Sequence, residues 1–192
     1  MSDNKIKYGL KNVHYALATI ATNGSATYGT PVALPGAVSI SMDPQGETTK
    51  FYADNIVYWI GIANNGYEGD LELARIPDTF KKDVLGYVSD AGNVLVEDAN
   101  ADVKHFALTF QFEGDVNATK HVLYNCTATR PTAAGSTKEE AIEPQTESIT
   151  ITATSIYNAS LNKDIVKAEA NQATASTAYS TWENAIYTAT SA

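Results

Sequence analysis

Phe106-Ala-Leu-Thr-Phe-Gln-Phe112 places Phe106, Leu108, Phe110 and Phe112 on one side of an extended chain and Ala107, Thr109 and Gln111 on the other. A period of two belongs to a strand, because successive side chains of a pleated backbone point to opposite faces. The same alternation returns in both directions from this stretch. Upstream, Val13, Tyr15 and Leu17 alternate with His14, Ala16 and Ala18, and Val38, Ile40 and Met42 with Ser39, Ser41 and Asp43. Leu71 and Leu73 face inward while Asp70 and Glu72 face out. Downstream, residues 119–127 and 147–154 repeat the pattern, the second with Thr on its outer face. The expected fold is mainly β, a sandwich or barrel built from short strands.

Turn residues punctuate these strands. Asn23-Gly24-Ser25 and Tyr28-Gly29-Thr30-Pro31 end the first, and Asp43-Pro44-Gln45-Gly46 is expected to end the next. Asp54-Asn55 lies between Phe51-Tyr52-Ala53 and Ile56-Val57-Tyr58-Trp59-Ile60 and suggests a hairpin, although Gly suits the second position better. Asn65-Gly66 is the stronger hairpin signal, leading into Glu68–Arg75. Asp90-Ala-Gly-Asn93 marks a turn before Val94–Val96, and Glu113–Ala118 joins 104–112 to 119–127 as a long hairpin. Residues 130–145, with two prolines and Lys138-Glu139-Glu140, read as a loop.

One short helix is expected at about 78–85. Pro77 precedes Asp78 as N-cap, Phe80 and Val84 share a face with Leu85 beside them, and Gly86 closes it. Its apolar stripe is narrow, so it should lie on a sheet edge or cover one end of a sandwich. Beyond residue 160 the composition drifts toward Ala, Thr, Ser and Asn. Tyr179, Trp182 and Ile186 fall at helical spacing there, so the segment ends either in a docked helix or in a mobile arm. The organisation expected is a β domain over 1–160, with a projecting loop at about 43–66, and a C-terminal arm or docked helix over 161–192.

The 192 residues suffice for one domain with a real core. Lys plus Arg total 13 against 22 for Asp plus Glu, a formal charge of -9. A phosphate-neutralising nucleic-acid binder needs the opposite sign. Cys126 is the single cysteine, so no internal disulfide forms. Lys5, Lys7 and Lys11 ahead of Tyr15–Ala21 faintly imitate a secretory signal, but His14 and Thr19 interrupt the short apolar run. A first strand is the better reading. No run reaches the roughly 18 apolar residues of a membrane span.

Chemistry-bearing constellations are missing. His14, His105 and His121 have no metal-spaced neighbours; His105 could approach Cys126 across a ladder, but two ligands do not make a zinc site. Cys126 sits in a strand-like run, which fits a buried inert thiol. No serine lies in a nucleophile elbow, and no glycine spacing matches a phosphate loop. Neither enzyme, cofactor nor metal is expected. The cluster Phe51, Tyr52, Tyr58 and Trp59 has three readings: an internally packed sheet face, a hairpin projecting onto a neighbouring subunit, or a sugar-stacking platform. The last, with Tyr67, defines the alternative function of a carbohydrate-binding β-sandwich module.

Several stretches taken together resemble the major tail proteins of long, non-contractile-tailed phages of Gram-positive bacteria. They are Tyr8-Gly-Leu-Lys-Asn-Val-His-Tyr15, Leu34-Pro-Gly-Ala-Val-Ser39, Phe51-Tyr-Ala-Asp-Asn55 and Asn65-Gly-Tyr-Glu-Gly-Asp-Leu-Glu72. Ile76-Pro-Asp-Thr-Phe80, Val84-Leu-Gly86, Val122–Pro131, Ser136–Glu140, Ile142–Glu147 and Tyr179-Ser-Thr-Trp182 follow in order. The Ala/Thr-rich stretch from about Glu169 to Thr177 departs from that pattern, and no immunoglobulin-like module is expected after it. The resemblance implies a structural subunit, six to a ring, with rings stacked into a hollow tube that conducts DNA into the host. It implies inner strands pairing across subunits, an extended loop and terminal arms reaching adjacent rings, and an acidic bore. Phe51, Tyr52, Tyr58 and Trp59 are then inter-ring candidates, and Asp70 and Glu72 lumen candidates. Partners would be further copies, a tape-measure protein, and tail-terminator and baseplate proteins, with DNA passing without specific binding. Assembly would take place in the host bacterial cytoplasm and the product would reside in the virion tail.

Overall fold

The computed structural model describes residues 4–137 and 144–191. Strands β1 (Lys7–Ile20), β2 (Ala26–Tyr28), β3 (Val32–Ala33), β4 (Ala37–Gln45), β5 (Thr48–Ala53), β6 (Ile56–Ile62) and β7 (Gly66–Leu73) lead to helix α1 (Asp78–Asp83). The short β8 (Val88–Ser89) and β9 (Leu95–Val96) precede β10 (Phe106–Gly114), β11 (Thr119–Ala128) and β12 (Glu147–Thr154). β13 (Ile156–Asn158), β14 (Lys163–Ile165), β15 (Lys167–Asn171) and α2 (Ser176–Thr181) complete the chain. The acidic run Lys138-Glu139-Glu140 lies outside the described residues.

The main sheet runs β2-β1-β10-β11-β12-β7-β4, with β3 also on β1 and β15 also on β11. β11 forks: Thr119–Leu123 pair with β15, whereas Asn125–Ala128 pair with β12. The fork folds the sheet into two layers without closing it. Leu71, Leu73, Ile149 and Ile151 of one layer meet Val13, Tyr15, Phe106, Leu108 and Leu123 of the other. α1 covers one end of this core. The Phe80 ring stands edge-on to Tyr15 at 5.1 Å and to Phe106 at 5.6 Å, and the Tyr15 hydroxyl donates to Asp83 at 2.8 Å. Burial pushes that hydroxyl up to about 12.

The stretch 106–112 is a strand, but not the half-solvated one its alternation implies. Ala107, Thr109 and Gln111 are as hidden as the phenylalanines, at 0%, 1% and 4% exposure. A second core explains it: Ala16, Ala107, Val122 and Tyr124 lie beneath Ile156, Trp182 and Ile186. The C-terminal stretch lies over this face, with Trp182 Nε1 donating to the His121 carbonyl at 3.3 Å. Lys120 Nζ reaches the Tyr179 carbonyl at 3.1 Å and Glu183 at 2.9 Å. α2 ends at Thr181, so Trp182 and Ile186 dock from just beyond the helix rather than along it.

Three local expectations are corrected. Asp78 is the first residue of α1 and does not cap it; Pro77 occupies the cap position without a side-chain bond, while Gly86 adopts the expected left-handed φ of 75°. β4 continues through Asp43-Pro44 to Gln45 instead of turning. Pro44 is tolerated because β4 is the edge strand, where the missing N–H faces no partner. Asn65-Gly66 is not a hairpin tip either. Gly66, with φ 97°, re-enters the sheet opposite Gln45, and a Cβ there would stand 2.0 Å from the Ala153 carbonyl oxygen. The tip is Asp54-Asn55, whose φ values of 50° and 62° form the primed turn that Asn tolerates. β5 and β6 are therefore an extension of the β4–β7 hairpin, held at its base by Asn65 N–H donating to the Gln45 carbonyl at 2.8 Å.

Candidate assembly surfaces

The β5–β6 ribbon presents large apolar groups to solvent. Phe51, Tyr52, Tyr58 and Trp59 are 59%, 61%, 70% and 57% exposed, so the internally packed reading of this cluster does not describe the subunit. Ile56, Val57, Ile60 and Ile62 are exposed with them. Cross-strand partners share a face. Phe51 pairs with Trp59 on one side; Tyr52 with Val57, Lys50 with Ile60 and Thr48 with Ile62 lie on the other. Tyr58 is the extra residue of a bulge between these sets. The indole of Trp59 folds against Gly61, where a Cβ would meet the ring at 2.3 Å. An isolated two-stranded ribbon is marginal in water, and one with both faces apolar calls for cover.

A second surface has the opposite character. β4, β7 and β12 contain no Lys or Arg at all. Register aligns their outward side chains in three rungs: Ser39, Glu72 and Ser148; Ser41, Asp70 and Thr150; Asp43, Glu68 and Thr152. The Glu72 carboxylate accepts from Ser39 Oγ at 2.7 Å and from Thr146 Oγ1, and these hydroxyls hold its pKa below the ordinary value. Asp70 accepts from Thr150 Oγ1 at 2.7 Å. Hydroxyls thus orient the carboxylates without neutralising them. The lumen candidates Asp70 and Glu72 stand on neighbouring rungs of this face, on the strand that follows the aromatic ribbon.

Among the described residues, the histidines lie apart and the one thiol is shielded. Cys126 is fully buried, its thiol pushed up by burial and directed at the Leu123 carbonyl. The ladder sets Cys126 against Phe106, not His105, and His105 instead meets the Asn125 side chain at 2.8 Å. Among the described residues no three potential metal ligands gather. Nor, among them, is any helix long and apolar enough to cross a membrane. Tyr67 lines a cavity of about 170 Å³ between the layers, with Lys167 over its ring at 5.6 Å, whereas Trp59 lines a groove at the ribbon's base. A sugar platform joining Tyr58, Trp59 and Tyr67 is not assembled.

His121, one of the three histidines without metal-spaced neighbours, faces the same cavity. Its ring stacks on Phe110 at 5.1 Å with Glu169 at 3.5 Å, yet burial outweighs that carboxylate and lowers its pKa to about 4. Its place in the 119–127 stretch gave no sign of burial, because β15 and the fork in β11 provide the cover.

The chain is mainly β, with an acidic sheet face and an uncovered apolar ribbon. The model of the phage tail tube protein family matches residues 2–188, and the chain belongs to that family. No curated protein matches it. The chain is thus a major tail protein of a phage, a structural subunit of the tail tube located in the virion tail, with the mainly β fold of that family.

Proposed function

We propose that six copies form a ring, that rings stack into a hollow tube, and that DNA passes through its bore into the host. The observation that carries this reading is the ribbon. Its four aromatic and four aliphatic side chains, 41–81% exposed, offer roughly 700–900 Å² of apolar surface, about one partner's share of a standard interface. Phe51, Tyr52, Tyr58 and Trp59 are the inter-ring anchors. The acidic face of β4, β7 and β12, with Asp70 and Glu72, lines the bore. Carboxylates there repel phosphates within a Debye length of about 8 Å at physiological salt, so DNA slides instead of sticking. Tubes with a positive lumen potential would contradict that assignment.

The outer edge of β4 has no strand partner among the described residues, and an open edge is a pairing template. A neighbour in the ring supplies the partner, a heterologous contact that closes by rotation. Tape-measure, terminator and baseplate proteins meet the tube inside and at its ends. Assembly takes place in the host bacterial cytoplasm. The test is negative-stain microscopy of the purified chain over rising concentration. Rings or tubes of even diameter are expected; a strictly monomeric chain at high concentration, with its tape-measure partner supplied, would refute the reading.

A further inference from the structure

We infer that the β5–β6 ribbon is clamped on both faces by copies in the next ring, and that the exposed valines around β8–β9 form the receiving surface. The inference rests on the tube reading and names the surface that the ribbon meets.

The first observation is two-sidedness. A ribbon lying flat on a neighbour would alternate apolar and polar, one face in contact and one in water. Here Phe51 and Trp59 occupy one face and Tyr52, Val57, Ile60 and Ile62 the other, with Lys50 the single charge on the two strands. A ribbon that is apolar on both sides fits between two bodies.

The second observation is polarity along the subunit. β7 starts at Gly66, beside the ribbon's base, and ends at Leu73, from which Ile76 and α1 follow. At about 3.4 Å per residue, the ribbon base and α1 stand roughly 25 Å apart at opposite ends of that strand. β8 and β9 belong to the α1 end. Tyr87 N–H donates to the Lys81 carbonyl at 3.1 Å, Lys104 N–H donates to the Val84 carbonyl at 2.9 Å, and Glu97 pairs with Arg130 at 3.0 Å. At this end Val88 and Val96, cross-strand partners, are 54% and 43% exposed, with Val94 at 58% and Val103 at 38%. Two uncovered apolar surfaces at opposite ends of one chain make a head-to-tail contact, which repeats without closing and so builds a tube.

The experiment uses the full chain. Wild-type subunits should form tubes by microscopy and sedimentation. Val88→Asp and Val96→Asp change exposed positions, so each should melt near wild type yet lose at least about tenfold in polymerised fraction. Cysteines placed singly at Phe51 and at Ile60 should react with maleimide in dilute subunits and be protected about tenfold in tubes; Cys126 is buried and silent. Valine variants that fold and polymerise like wild type overturn the inference and leave the tube reading intact. So does an Ile60→Cys chain that polymerises with its thiol still reactive. A variant that misfolds is replaced by Val94→Asp, at the turn. If the unaltered chain makes no tubes, the tube reading itself falls.

Discussion

His121 is a histidine held neutral by packing. Its ring lies between Phe110 and Phe112, facing Lys7, Lys167 and Glu169. Burial lowers its pKa from 6.5 to about 4, against the pull of Glu169. Between those values the unfolded chain binds a proton that the folded subunit does not, so stability is full above about pH 6.5 and falls as pH drops toward 4. The slope is about 1.4 kcal/mol per pH unit at most, up to about 3 kcal/mol in all. Urea unfolding at pH 7 and pH 5 should show a lower midpoint at pH 5, and His121→Phe should remove most of that difference. Equal slopes for the two chains between pH 7 and pH 5 would contradict this account of the site. Nothing in residues 119–123 alone discloses it, because the burial comes from β15, distant in sequence, and from the opposing layer.

At the scale of elements, what was legible depended on whether a neighbour contributes. The β10–β11 hairpin and β12 follow from local alternation and turn chemistry, and the structure has them where the residues place them. The ribbon's tip was also readable, since Asp54-Asn55 interrupts two aromatic and β-branched runs. Its base was not. Asp43-Pro44 and Asn65-Gly66 carry strong turn chemistry, yet one lies in an edge strand and the other marks a close backbone approach, and both facts depend on pairing. Alternation likewise concealed the second core, because small and polar residues such as Ala107 and Thr109 do not declare burial. The ribbon's independence gives a test. Deleting residues 47–63 leaves Gln45 and Asn65, already hydrogen-bonded, joined by Gly46 and Asn64 in a short turn. The shortened chain should keep its thermal midpoint within a few degrees and its far-ultraviolet spectrum, while losing polymerisation. An unfolded product would mean that the ribbon supports the core.

For the whole molecule, the sequence disclosed the architecture better than the surfaces, since no alternation pattern says whether an exposed face meets water or another copy. Asp70 and Glu72 were readable as outward acids, but only the register aligns them with the hydroxyl-bearing rows of β4 and β12, strands without Lys or Arg. Phe51 and Trp59 were readable as a cluster, but only the structure shows that they lie uncovered outside the core. The central claim is that this subunit is incomplete alone, its apolar ribbon finished by further copies. Amide hydrogen exchange over residues 48–62, compared between dilute subunits and assembled tails, tests it most directly. The account predicts fast exchange in subunits and at least about tenfold slower exchange in tails; equal rates in the two states would contradict it.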